Sequence, residues 1–208
     1  MTFTVHEVVD PRSRRVAVVA LVVGAVLLGV TLNVEEGSWK FYSAGFALAA
    51  TWVIAYMLAP TRSRPDRRRS VDAGIGVLVG SGMFGIFITA SWMLHRIHLF
   101  DNSVDEVLRT ADSSNIGWVM ALACVNGVAE ELFFRGTLID AARGRFAMTV
   151  GVVPYVLATV PSGNIALVSA AAVMGTVFAW LRVRTGALTA SITTHLSWSA
   201  LMILAFPR

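Results

Sequence analysis

The chain has 208 residues, 56% hydrophobic and only 14% charged, where soluble domains carry about 25% charged residues, so it has little polar material with which to cover a water-facing surface. Its one cysteine, Cys124, excludes an intrachain disulfide and a cysteine-based zinc site. The net charge of +4 resides largely in short basic loops between apolar runs, which points to membrane topology and anionic lipid and away from nucleic acid.

Seven apolar runs follow one another, at residues 16–32, 41–59, 73–94, 116–139, 146–161, 165–181 and 187–206. Most reach the roughly 17–25 residues that a helix needs to cross a bilayer. The first follows Arg12, Arg14 and Arg15 without a convincing small-residue cleavage site, and reads as a signal anchor. The third is rich in glycine, and its Gly76/Gly80 spacing permits a close helix contact. Residues 95–114 form the longest connection. Their Val104, Val107 and Leu108 among Asp105, Glu106 and Arg109 predict a short amphipathic helix on the outer surface. The fifth run is short and holds Pro154 and Pro161, which predicts a kinked or partial span. With the N-terminus inside, twelve Lys and Arg fall in inner segments and four in outer ones, an asymmetry that predicts an N-in/C-out orientation. The expected fold class is all-α, a polytopic membrane helix bundle with about seven transmembrane helices, in the cell membrane as a multi-pass integral protein. Residues 1–115 would supply N-terminal helices with a basic inner loop, and residues 116–206 the helices that carry the polar site.

That site announces itself in the fourth run, where Glu130, Glu131 and Arg135 interrupt apolar sequence. Each ionised group at membrane depth costs several kcal/mol, roughly 2.5–3.5 on insertion scales, so such residues mark function by default. On an α-helical wheel Asn126, Glu130 and Thr137 project within about 40° of one another. Glu131 shares its face with Arg135 at the i,i+4 spacing of an ion pair. Glu131 is then the structural partner of Arg135, and Glu130, with no partner on its own helix, is the candidate general base. On the seventh run Ser191, His195 and Ser199 form an i, i+4, i+8 stripe with Thr194 beside it. Glu130 and His195 lie at about 13 Å and about 12 Å from the inner ends of their runs, taking ~1.5 Å per residue. One layer in the inner half of the membrane therefore holds a carboxylate and an imidazole, which together could activate a water and polarise a peptide group. The alternative on the residues alone is a polar clamp between helices. Of the other histidines, His6 lies in the inner tail, and His95 and His98 mark an outer helix end. No cofactor is expected. The alternative is a zinc ion at Glu130 and His195, although a catalytic zinc wants three protein ligands.

The run Glu130-Glu131-Leu132-Phe133-Phe134-Arg135 resembles the EExxxR motif of the CPBP family, the CAAX proteases and bacteriocin-processing enzymes also called the Abi family. The stretch from Gly175 through Phe178, Gly186 and Leu188 to His195 is similar to that family's last segment, which ends in HxxxN or HxxxD. The resemblance covers about residues 116–206. It implies an intramembrane endopeptidase similar to the enzymes that trim prenylated CAAX proteins, acting on a membrane-associated protein or peptide. Glu130 would activate the attacking water, Glu131 and Arg135 would match the motif's second glutamate and arginine, and His195 would help bind the oxyanion or the peptide. Two positions depart from the pattern. The middle motif, FxxxH, has its nearest match in Tyr155-Val156-Leu157-Ala158-Thr159, with Thr159 where the imidazole belongs. Ser199 stands where the family has Asn or Asp. A hydroxyl can donate a hydrogen bond but cannot supply a cation or ligate metal as imidazole does. The departures keep a second reading open, a catalytically impaired family member acting as a membrane peptide-binding, immunity or regulatory protein. A small transporter or proton relay is a third.

Overall fold

A computed structural model describes residues 11–35, 37–59, 68–95, 116–142 and 146–205. Among these residues every regular element is helical. In chain order they are α1 (Pro11–Asn33), α2 (Trp39–Leu58), α3 (Arg69–His95), α4 (Ile116–Ala142), α5 (Ala147–Thr159, continued by a 3-10 turn at Val160–Ser162), α6 (Ile165–Thr185) and α7 (Thr189–Ala205). Five of them, α1 to α4 and α6, are long and apolar enough to cross a membrane. α5 is the short apolar helix, with Pro154 inside it. α7, at 17 residues, lies at the lower limit for a span.

Local sequence explains where these helices begin and end. The Ser38 side chain accepts from Phe41 N–H at 3.2 Å and starts α2. The Asn164 side chain accepts from Leu167 N–H at 3.0 Å and starts α6. Such side chains satisfy amide donors that the first turn leaves without carbonyl partners. Gly186, at φ 75°, ends α6 in the left-handed region and returns its N–H to Arg182 O.

α4 changes its winding where the charges begin. It is α-helical over Ile116–Glu130, π-helical over Glu131–Leu138, and α-helical again over Ile139–Ala142. π turns inside α-helices are rare and are found disproportionately at functional sites. The wheel that groups Thr137 with Glu130 assumes α-helical winding throughout, so it does not carry across this segment. Thr137 is buried, and its hydroxyl has no hydrogen-bond partner among the described residues.

Small residues set the helix contacts. A Cβ on Gly76 would lie 2.6 Å from Ala190 O and one on Gly80 2.7 Å from Thr194 O, so α3 rests almost backbone to backbone on α7. The ring of Trp52 fills the space beside Gly24, joining α2 to α1. The same ring stacks on Phe133, 4.7 Å between centroids, and lies 5.0 Å from Phe134, which meets Tyr155 edge-on at 5.0 Å. This aromatic ladder ties the π segment of α4 to α2 and α5. Outward, Val18, Val22, Ile54, Leu78, Ile86 and Leu157 are exposed, a surface suited to acyl chains.

Two expectations change. Arg182 is not a charge in an inner loop: it is 7% exposed and forms an ion pair with Asp140. It therefore drops out of the twelve basic residues that set the predicted orientation. Arg12, Arg14 and Arg15 stand within the first turns of α1 instead of preceding it. The predicted outer amphipathic helix falls in residues 96–115, outside the described residues, as do Arg143 and Arg145.

Candidate active site

The polar residues of α4 divide at one peptide bond. Glu131 and Arg135 are 0% exposed, and Glu131 Oε1 lies 3.0 Å from Arg135 Nη1. The i,i+4 spacing that predicts this pair survives the change of winding. Arg135 also donates from Nη2 to Gly175 O at 3.3 Å on α6. Its guanidinium lies over the rings of Tyr155, at 4.4 Å, and Phe178, at 5.2 Å. Cation–π contacts of this kind strengthen where water is excluded. A side chain at position 175 would crowd this arrangement, its Cβ meeting Tyr155 Cδ1 at 3.0 Å.

Glu130 points elsewhere and is only half-buried. Tyr155 on α5 donates from its hydroxyl to Glu130 Oε2 at 3.1 Å. The carboxylate also lies within electrostatic reach of His195, Glu131 and Arg135. Sequence reasoning assigned no role to Tyr155. The available signal was its i,i+4 relation to Thr159, which sets both on one face of a helix otherwise almost devoid of polar groups.

His195 is 7% exposed and stacks on Phe178, 4.9 Å between centroids and 29° between planes. Its ring lies against Gly127 of α4, where an added Cβ would sit 3.5 Å away. The α4 carboxylates and the α7 imidazole thus share one level, as the depth count predicts. The nearest carboxylate oxygen to the ring, however, belongs to Glu131. His195 Nδ1 stands 3.4 Å from Glu131 Oε1, an ion-pair distance without the alignment of a hydrogen bond. Arg135, Glu131 and His195 therefore form a row, and Glu131 touches both of the others.

The supporting residues are placed as follows. Asn126 ties α4 to α2, donating from Nδ2 to Gly45 O at 3.2 Å and to Leu122 O at 3.0 Å. Thr159 is buried and turns its hydroxyl back onto Val156 O at 2.7 Å, so Tyr155 makes the α5 contact with Glu130. Ser199 is buried one turn beyond His195. Ser191 donates to Leu188 O, just before α7, and Thr194 to Ala190 O within it.

Sequence reasoning also missed Arg182. Ile139 N–H bonds to Gly136 O, where a regular α-helix would send it to Arg135 O. Arg182 Nε donates to Arg135 O at 3.1 Å, and Nη2 of the same guanidinium pairs with Asp140. α6 thereby caps a carbonyl of the π segment. As for zinc, no group of three or more His, Cys, Asp or Glu among the described residues could hold a metal ion, and Glu131 is already committed to Arg135. Among the described residues the donors beside Glu130 fall short of the three protein ligands typical of catalytic zinc.

An all-helical bundle with apolar flanks and a charged constellation between its helices defines an integral membrane protein built around a polar site. Residues 112–201 match the family described as Type II CAAX prenyl endopeptidase Rce1-like, a match that supports the CPBP/CAAX protease family for this site-bearing part of the chain. The match takes in all of α4, α5 and α6 and most of α7. No curated protein and no solved structure matches the chain.

Proposed function

We propose that the protein is an intramembrane endopeptidase of glutamic type, in which Glu130 activates the water that attacks a peptide bond of a membrane-associated substrate. The observation that carries this reading is the contrast between two adjacent carboxylates. Glu131 is sealed between Arg135 and His195, whereas Glu130 is only half-buried and keeps an oxygen beyond its contact with Tyr155. In the proposed step Glu130 takes a proton from water as the hydroxide forms a bond to the carbonyl carbon. The C–N bond then breaks, and the proton passes from Glu130 to the leaving nitrogen. The Nδ1 contact with Glu131 leaves His195 Nε2 as the nitrogen available to the substrate, where the imidazolium form would donate to the oxyanion. Glu131, beside Nδ1, would hold that ring by charge.

Thr159 and Ser199, in place of the family's His and Asn or Asp, favour the second reading of a catalytically impaired protein that binds a membrane peptide. The two readings separate on Glu130→Gln, which keeps the shape of the side chain and removes the base. Membrane proteomes of cells carrying wild type and Glu130→Gln are compared. Peptides whose abundance depends on the carboxylate support the protease. Identical proteomes, with a partner retained by both forms on purification, support the binding protein.

A further inference from the structure

We infer that Tyr155 is a positioning residue for Glu130, its hydroxyl fixing the carboxylate in the orientation that presents the other oxygen to water; this rests on the endopeptidase reading. The argument begins with burial. Tyr155 is 7% exposed, and a buried phenol without a partner is costly. Its hydroxyl finds that partner in Glu130 Oε2 at 3.1 Å.

The ring has little freedom to point elsewhere. It lies under the Arg135 guanidinium at 4.4 Å, edge-on to Phe134 at 5.0 Å, and against α6 where Gly175 has no side chain. Arg135 therefore holds both glutamates in register, Glu131 through an ion pair and Glu130 through the ring it covers. A carboxylate held through one oxygen by a locked donor has a defined plane, which general-base geometry requires. Thr159, turned onto its own helix, gives Glu130 no such hold.

The test is Tyr155→Phe, which keeps the ring and deletes the hydroxyl. Two readouts are taken on the full chain in membranes. One is the rate at which dicyclohexylcarbodiimide modifies Glu130, followed by mass spectrometry. The other is cleavage of a farnesylated CAAX peptide, with kcat and KM determined separately. The variant is expected to accumulate as wild type does and to be modified at Glu130 several-fold faster, because no hydroxyl then bonds Oε2. On the peptide it should lose about tenfold or more in kcat with KM unchanged, the size of a hydrogen bond to a charged group.

Equal modification rates in wild type and variant overturn the inference. So does a rise in KM at constant kcat, which would make Tyr155 part of the peptide-binding wall. Faster modification without cleavage of any peptide by wild type upholds the grip of Tyr155 on Glu130 and counts only against the protease. Should Tyr155→Phe fail to accumulate, 3-fluorotyrosine at the chain's three tyrosines supplies a second measurement. The fluorine resonance that persists after Tyr42→Phe and Tyr56→Phe belongs to Tyr155. It must move on Glu130→Gln, and a resonance that stays in place overturns the inference.

Discussion

Adjacent side chains on a helix point about 100° apart, so Glu130 and Glu131 reach different neighbours across a single peptide bond. Tyr155 on α5 holds the first, and Arg135 with His195 holds the second. Glu131→Gln would leave Arg135 charged and without its carboxylate in a site that excludes water, and breaking a buried pair costs about 3–5 kcal/mol. The expected outcome is a large loss of folded protein, measured as detergent-solubilised monomer and its melting temperature, while Glu130→Gln accumulates normally. Equal losses in the two variants would make both glutamates parts of one clamp. The Glu131–Arg135 pair was legible in the sequence because its spacing is local. The Tyr155–Glu130 bond spans 25 residues and the Arg182–Asp140 pair 42, separations at which no periodicity signals a contact. Arg182 misled for a further reason: at the end of an apolar run a buried arginine and a loop arginine look the same.

Helices bring their own consequences. The π winding of α4 leaves no mark in hydropathy, since Leu132, Phe133 and Phe134 fit an apolar span wound either way. Among the described residues, Arg182 of α6 is a neighbour that bonds its backbone. Arg182→Met should lower stability by about 3 kcal/mol, the lower end for a broken buried pair, because Asp140 then keeps a charge without this partner. Combining it with Asp140→Asn should recover part of the loss, and a thermal double-mutant cycle measures that coupling. The Gly76/Gly80 spacing, by contrast, signalled a close helix contact but not its partner, which the structure identifies as α7. Gly80→Leu would drive a side chain into Ser197 Oγ and Thr194 O, at 2.2 and 2.7 Å from its Cβ. Overpacking typically costs about 1–3 kcal/mol, so accumulation of this variant should fall. Gly82→Leu is the control, since nothing lies within 4 Å of its added Cβ. If both variants accumulate alike, α3 does not depend on close approach to α7.

For the whole molecule, apolar runs and their breaks foretold the order of seven helices, because a bilayer imposes both length and composition on anything that crosses it. Which helices complete a crossing is less legible, α5 being short and α7 minimal. Orientation rests on the basic residues, whose asymmetry remains strong after Arg182 is set aside. A reporter fused after Arg69 should lie in the cytoplasm and one fused after Arg208 outside, as scored by paired alkaline phosphatase and fluorescent-protein fusions. Both reporters on one side would show an even number of crossings between them, with α5 or α7 the helix that does not cross.

The close seating of α3 on α7 also bears on how the chain could be divided. The helix that carries His195 leans through Ala190 and Thr194 on a glycine face supplied by residues that precede the family match. A fragment limited to the matched residues would expose that flank to lipid, with the backbone of α7 no longer braced on that side. The part of the chain that bears the signature therefore relies on α3 for the packing of one flank of α7. Swapping it between relatives would transplant the charges and leave behind the surface that holds one of them at its level.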